Sequence, residues 1–434
     1  EPVPFTEADE FKEEPDAPAG RAADDPPRRR KWTVMLYLAC DDQTVQEVCL
    51  DYLRRIHRMG GSSDDVAYVA LYDGYNNLRN RFTDENLSLI GMVPSGPESA
   101  LPKYASSSKA AGERPFYLVN INGDRAGVAI PEQNTGHPNA LGGFITWARK
   151  YFPADRTMLV MAGHGRGWKS FGPDLSSPGQ FVPYDALHLN EMRAAMIGAP
   201  LDILAFNSCL MADLATVYQF TGKARYFIGS EEILGVAGFD FEAIHRLLAA
   251  NPEVSAEQLG IETVDTLPAH QSRYGRLGGN TLSLMDMREV PTVAAALNSF
   301  ALSMRRGVPY LAKKDDPSDN AHTGMVEALV LTFSTAGFGD TNFLDLWTYA
   351  WNVDENPKIP ACAKSGAGFL RDRINRAVIR RSNSLDRAGL GGISIYYPVV
   401  RTVDVTAAVD PNAEPYDYPN SRALSGDTRR VVYA

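Results

Sequence analysis

At 434 residues, 44% hydrophobic and 10% aromatic, the chain is long enough to bury a large core and to form one large or two associated domains. A formal net charge of -10 lacks the basic footprint that phosphate contacts need and argues against a nucleic-acid partner. No apolar run approaches the roughly 18 residues that span a bilayer as a helix, so no transmembrane segment is expected.

Residues 1–30 carry Pro2, Pro4, Pro15, Pro18, Pro26 and Pro27 among many acids and end in Arg28, Arg29 and Arg30. Such a segment buries too little apolar area to offset its ordering entropy, so it is expected to be a disordered acidic, proline-rich tail. It holds no apolar leader core and does not start with Met. A leader removed before position 1 would fit that and points to a secreted or cell-envelope protein.

From there, strand patterns alternate with helical ones. Strands are expected over 33–38, 66–72, 116–121, 158–162, 203–206, 226–229, 282–285 and 393–396. Helices are expected over 45–59, 141–151, 187–197, 210–220, 241–248 and 256–266. Helical patterns over 290–305, 325–331, 343–349 and 368–380 make the last third more helical. The alternation predicts an α/β fold with a mostly parallel sheet between helical layers. Residues 169–180, rich in Gly, Pro and Ser, read as an exposed loop.

Chemistry concentrates at two strand ends. Met161-Ala-Gly-His-Gly-Arg-Gly-Trp168 sets His164 just past one apolar run, and Asp202-Ile-Leu-Ala-Phe-Asn-Ser-Cys209 sets Cys209 just past the next, 45 residues after His164. Ligands gather at the carboxyl edge of such sheets. A free thiol is only a few per cent ionised at neutral pH, so a nucleophilic cysteine needs a neighbouring base, here His164. Gly165, without a side chain, lets its N–H approach a substrate carbonyl and, with the N–H of Cys209, form an oxyanion hole. A helix over 210–220 would add its positive N-terminal end to the thiolate.

Competing chemistries lack their marks. The sequence holds no His-Glu-x-x-His, Cys-x-x-Cys, phosphate-binding loop or Gly-x-Ser-x-Gly elbow. His57 is expected on a helix surface, and His137, His188, His245, His270 and His322 as structural or solvated residues. Cys40 and Cys49 sit at a strand end and in a helix, where simple burial is expected.

These motifs resemble the clostripain-like cysteine peptidases, relatives of caspases, legumains and gingipains. The resemblance extends to Lys31-Trp-Thr-Val-Met-Leu-Tyr-Leu-Ala39, Gly229-Ser-Glu-Glu232 and Gly392-Ile-Ser-Ile-Tyr-Tyr-Pro398, and so spans roughly 31–400. It implies a caspase-like three-layer sandwich, with residues 31–275 as catalytic domain and 276–434 packed on it. It also implies a cysteine endopeptidase acting on peptides or proteins through a Cys209–His164 dyad and an acyl-enzyme. Relatives that cut after Arg or Lys carry Asp two residues before the nucleophile. Asn207 stands there, so a relaxed P1 preference is expected, with Ser230, Glu231 or Glu232 supplying any remaining basic preference. The chemistry requires no cofactor. Family members often use calcium and cut themselves between the two motifs. No local calcium loop marks a metal site, and Lys169 is a basic cleavage candidate. A non-catalytic peptide-binding module of the same fold and a transpeptidase are the alternative readings. Oligomeric state and natural substrate are not encoded in any motif of the chain.

Overall fold

The computed structural model describes residues 28–398 apart from 43, 75–86, 93–127, 132, 176–183, 276–277, 308–319 and 339–341. The strand expected over 116–121 and nearly all of the expected disordered tail lie outside the described residues.

Five parallel strands form the centre of a nine-stranded sheet, in the spatial order β2 (Val66–Gly74), β1 (Arg30–Cys40), β5 (Ala154–Gly163), β8 (Leu201–Asn207) and β9 (Ala224–Gly229). Antiparallel strands extend both edges: β3 (Leu87–Met92) and β4 (Val128–Pro131) beyond β2, and β10 (Thr281–Asp286) and β12 (Val378–Asn383) beyond β9. Two ribbons stand apart, pairing β6 (Phe171–Asp174) with β7 (Asp185–Leu187) and β11 (Phe343–Asp345) with β13 (Ser394–Tyr396).

Both faces of the central strands are buried, which is why each reads as a continuous apolar run. Successive side chains divide between two cores. In β1, Met35, Tyr37 and Ala39 point to one, and Val34, Leu36, Leu38 and Cys40 to the other. The first core is covered by α2 (Pro138–Tyr151), α3 (Leu189–Ala195), α4 (Leu214–Gln219), α8 (Val290–Gly307), α9 (Asn320–Ala336), α10 (Leu346–Glu355) and α11 (Ala361–Ala377). The second is covered by α1 (Gln46–Arg58), α5 (Phe241–Ala250), α6 (Ala256–Asp265) and α7 (Leu267–Arg273). The result is the three-layer α/β sandwich that the alternation predicts.

Several local expectations are corrected. The pattern over 343–349 opens as strand β11 and becomes helical only at Leu346, where the Asp345 carboxylate accepts the Thr348 N–H as a cap. The helix over 368–380 stops at Ala377, because Val378 starts an edge strand paired with β10. The strand at the C-terminal end pairs with β11 instead of joining the main sheet. In the segment 169–175, β6 is buried, so that part is not an exposed loop; the Lys169 carbonyl accepts from His188 at 3.0 Å. Residues 176–180 of that segment lie outside the described residues.

His57 is buried, not on the surface: α1 packs the face carrying it against the protein interior. Cys40 and Cys49 are buried as expected, but they are joined in a disulfide, a pairing that becomes visible only when α1 lies against the end of β1.

Candidate active site

Register alone brings the motif residues together. Ala39 of β1 lies beside Gly163 of β5, and Ala162 of β5 lies beside Asn207 of β8. His164 follows β5 directly and Cys209 lies two residues past β8, at the same carboxyl edge of adjacent parallel strands. Gly163 makes the exit possible: its φ is +149°, and a Cβ there would lie 2.4 Å from the Ala39 carbonyl oxygen.

The histidine loop folds back as a tight pair with β6. Gly172 N–H donates to the His164 carbonyl at 2.8 Å and Arg166 N–H to the Ser170 carbonyl at 3.0 Å. Gly165 faces Phe171 between these two bonds, so its own N–H and C=O point away from β6. Its backbone instead abuts the nucleophile loop, where a Cβ at Gly165 would lie 2.2 Å from the Cys209 carbonyl oxygen and 2.9 Å from Met211 Cγ.

Cys209 is a half-buried thiol outside any disulfide, with Sγ 4.0 Å from the Leu234 carbonyl. The expected helix does not begin beside it. Leu210 adopts a left-handed φ of +63° and α4 starts at Leu214, capped by Asp213. The turn is held by sheet-like bonds, with Leu210 N–H donating to the Glu232 carbonyl at 3.1 Å and Ala212 N–H to the Ser230 carbonyl at 2.9 Å. The correction removes a helix end from the thiolate's neighbours, since a short helix competes poorly with this pairing.

Alternation along the chain puts Ala205, Asn207 and Cys209 on one side of the strand end. Asn207 is buried; its Oδ1 accepts from Phe239 N–H at 3.1 Å, and its amide meets the hydroxyl of Tyr52, whose phenol burial pushes up. The loop from Leu234 to Phe239 therefore passes both Cys209 and Asn207.

The Ser230–Glu232 segment lies behind the nucleophile turn. The Ser230 hydroxyl is engaged with Thr281 at 2.9 Å. Glu231 is fully buried; desolvation, then the neighbouring Asp345, push its carboxyl well above the ordinary range. Glu232 pairs with Arg387 at 2.8 Å and also accepts the Ile233 N–H. Burial thus disfavours charge on one acid, and the other is matched by a cation.

One neighbour of His164 was not foreseen from the sequence. Asp42, two residues past β1, places Oδ1 3.6 Å from His164 Nε2, and Thr44 Oγ1 lies 3.4 Å from the same nitrogen. Thr44 also donates its N–H to Asp42 Oδ1 at 2.6 Å and its hydroxyl to the same oxygen. Burial raises the Asp42 carboxyl, but the Thr44 bonds and His164 outweigh it and the net displacement is downward. The only signal in the sequence was an acid beyond a strand end, which becomes informative once β1 is placed beside β5.

For a metal, the donor set to test is carboxylate. The oxygens of Asp41, Asp73 and Asp174, all buried, lie within 4.8 Å of one another. Thr135 ties two of them, its hydroxyl donating to Asp73 at 2.9 Å and its N–H to Asp174 at 2.8 Å. An all-oxygen set of this kind fits calcium.

The model of the Clostripain family matches residues 36–358 of this chain. The chain belongs to the clostripain family. Clostripain of Hathewaya histolytica is 21% identical over 391 residues, which cover 77% of this chain and 73% of that protein. A secreted C11 cysteine protease from Bacteroides thetaiotaomicron, solved with an irreversible peptide inhibitor, superposes with a TM-score of 0.57 at 16% identity, covering 86% of this chain and 94% of that one. An inactive zymogen C11 protease from Parabacteroides distasonis gives a TM-score of 0.54 at 17% identity, covering 86% and 93%. The clostripain-family chain described here is accordingly a cysteine-type peptidase with the caspase-like sandwich of these relatives. No described helix is long and apolar enough to cross a membrane.

Proposed function

We propose that the protein is an endopeptidase working through a Cys209–His164 dyad, with a relaxed P1 preference. The observation that carries this reading is the position of a thiol outside any disulfide and an imidazole at the ends of adjacent strands β8 and β5, with Gly165 backed onto the Cys209 carbonyl. His164 takes the thiol proton and Cys209 Sγ attacks the scissile carbonyl carbon, forming the S–C bond. The N–H groups of Gly165 and Cys209 receive the oxyanion. As the C–N bond breaks, His164 delivers its proton to the leaving amine, then takes one from water, which hydrolyses the thioester and regenerates the thiol.

Relaxed P1 recognition follows from charge. Asn207 is neutral, burial and then the neighbouring Asp345 push the Glu231 carboxyl well up, and Glu232 is matched by Arg387, so this set is poorly suited to pair with a guanidinium. Exposed Ile233, Val236 and Trp168 flank the two loops and suit the apolar side chains of an extended peptide.

A calcium ion, where the enzyme uses one, would be held by Asp41, Asp73 and Asp174 and would neutralise charge at the end of β1, with no part in the chemistry. A secreted or envelope location is supported by the Cys40–Cys49 disulfide, since such bonds persist in oxidising compartments. Maturation by cleavage would fall in the connection between the two motifs, with Lys169 as its basic cleavage candidate.

The test is labelling with an irreversible peptidyl acyloxymethyl ketone, alongside turnover of a fluorogenic peptide library. Cys209→Ala is expected to lose both with its fold intact, and His164→Ala to lower kcat by at least ~10²–10⁴-fold. Undiminished turnover in Cys209→Ala would remove the nucleophile assignment and leave a different catalytic reading, whereas a wild type with neither turnover nor labelling would leave the non-catalytic one.

A further inference from the structure

The dyad leaves open what orients the imidazole ring: the His164 side chain is 40% exposed and has several rotamers open to it, whereas proton transfer needs one that aims a nitrogen at the thiol. We propose that Asp42 is the positioning residue of His164 and that the Cys40–Cys49 disulfide holds Asp42 in place. The proposal rests on the dyad reading above.

Three observations converge. Asp42 and His164 leave neighbouring parallel strands at the same edge, and Asp42 Oδ1 faces Nε2 at 3.6 Å. That oxygen is itself fixed by the N–H and hydroxyl of Thr44, so its position does not depend on the histidine. The disulfide then closes the segment, because Cys40 ends β1, Cys49 lies in α1, and Asp42 and Thr44 fall between them. Among the described residues no other carboxylate lies in ion-pair range of His164.

The chemistry expected of this arrangement is tautomer choice and charge support. A proton on Nε2, facing the carboxylate, leaves Nδ1 as the basic nitrogen for the thiol, and the imidazolium formed on thiol deprotonation gains an opposite charge. At 3.6 Å the contact is electrostatic in the unliganded enzyme and is of the kind that tightens when substrate closes the site. Asp42 is a quarter exposed, so its effect should fall well below the ~10⁴-fold of a fully buried triad aspartate.

Asp42→Asn, Asp42→Ala and Asp42→Glu in the full chain test this, with active sites counted by the ketone probe. Asp42→Asn should lower kcat by about 10- to 100-fold at unchanged KM. It should also move the limb of the pH–rate profile that reports imidazolium deprotonation to lower pH, and Asp42→Glu should restore part of both. Asp42→Asn with wild-type kcat and an unmoved limb overturns the proposal. So does a loss of kcat with an unmoved limb and no rescue by Asp42→Glu, which is what a merely structural residue would show. A wild-type enzyme that neither turns over nor takes up probe would instead remove the dyad reading on which the proposal stands.

Discussion

The carbonyl oxygen of Cys209 occupies the space a side chain at Gly165 would need, 2.2 Å from where its Cβ would sit. The residue after the base and the nucleophile are thus in backbone contact, and the two loops cannot move independently. Gly165→Ala should push them apart, displace both expected oxyanion donors and cost about 10²–10³-fold in kcat. Comparing kcat with the rate of probe alkylation checks this. An alanine enzyme of normal kcat would show that the loops yield without affecting the reacting centre.

Three of the cysteines make opposite redox demands on the molecule. Cys209 must be a thiol to attack, whereas Cys40 and Cys49 are joined across the segment that carries Asp42. Replacing both Cys40 and Cys49 by Ser should lower unfolding stability by about 2–3 kcal/mol, the range for a short closed loop, and lower kcat as well. Urea denaturation in a Cys209→Ala background, free of self-cleavage, measures the first effect. Equal stability with and without the bridge would show that packing of α1 alone holds this corner.

The strands bearing the site were legible because burial on both faces turns each into an unbroken apolar run. β1, β5, β8 and β9 all extend the expected cores by a few residues only. Edge and ribbon strands such as β3, β6 and β12 were not, since they are short and take their structure from the neighbour they pair with. His164 and Cys209 carry local motifs, but Asp42 acquires its relation to His164 only through the β1–β5 register. The same holds for Glu231, whose carboxyl is raised first by burial and then by Asp345, more than a hundred positions further along the chain. The helix expected after Cys209 failed because the periodicity of 210–220 cannot report that Leu210 and Ala212 hydrogen-bond to the Ser230–Glu232 segment instead.

Asp213 gives the fold a pH dependence of its own. Burial raises its carboxyl to about 7, against the pull of Thr216 and Ala215, which donate to it at the start of α4. Between the unfolded value near 3.9 and about 7, the folded protein holds a proton that the unfolded chain has released. Stability should therefore fall as pH rises through that window and level off above it, by on the order of 1 kcal/mol per pH unit. Asp213→Asn keeps a capping acceptor and removes the titration. Urea unfolding of both proteins from pH 4 to 8 should show the stability difference between them growing across the window. A constant difference would mean that Asp213 is ionised in the folded state.

Specificity is the property most exposed to a single substitution. Asn207 lies on the same side of the β8 end as Cys209, and its amide is already met by Phe239 N–H and the Tyr52 hydroxyl. In Asn207→Asp one carboxylate oxygen keeps the Phe239 N–H, while the other replaces the amide nitrogen facing the Tyr52 hydroxyl, which has to turn the proton it now gives to the Val236 carbonyl at 3.2 Å toward the new oxygen. It would place a negative charge two residues before the nucleophile, where burial pushes the Glu231 carboxyl up and Glu232 is paired with Arg387. A charge-assisted pair with an arginine side chain contributes roughly 1.5–3 kcal/mol, so cleavage after Arg should rise about ten- to a hundredfold in kcat/KM relative to neutral P1 residues. A P1-varied fluorogenic library, run on wild type and Asn207→Asp, measures the ratio directly. Strict Arg selectivity in the wild type that survives Glu231→Gln and Glu232→Gln would mean that P1 is read by residues other than these, and the account of relaxed recognition would fall with it.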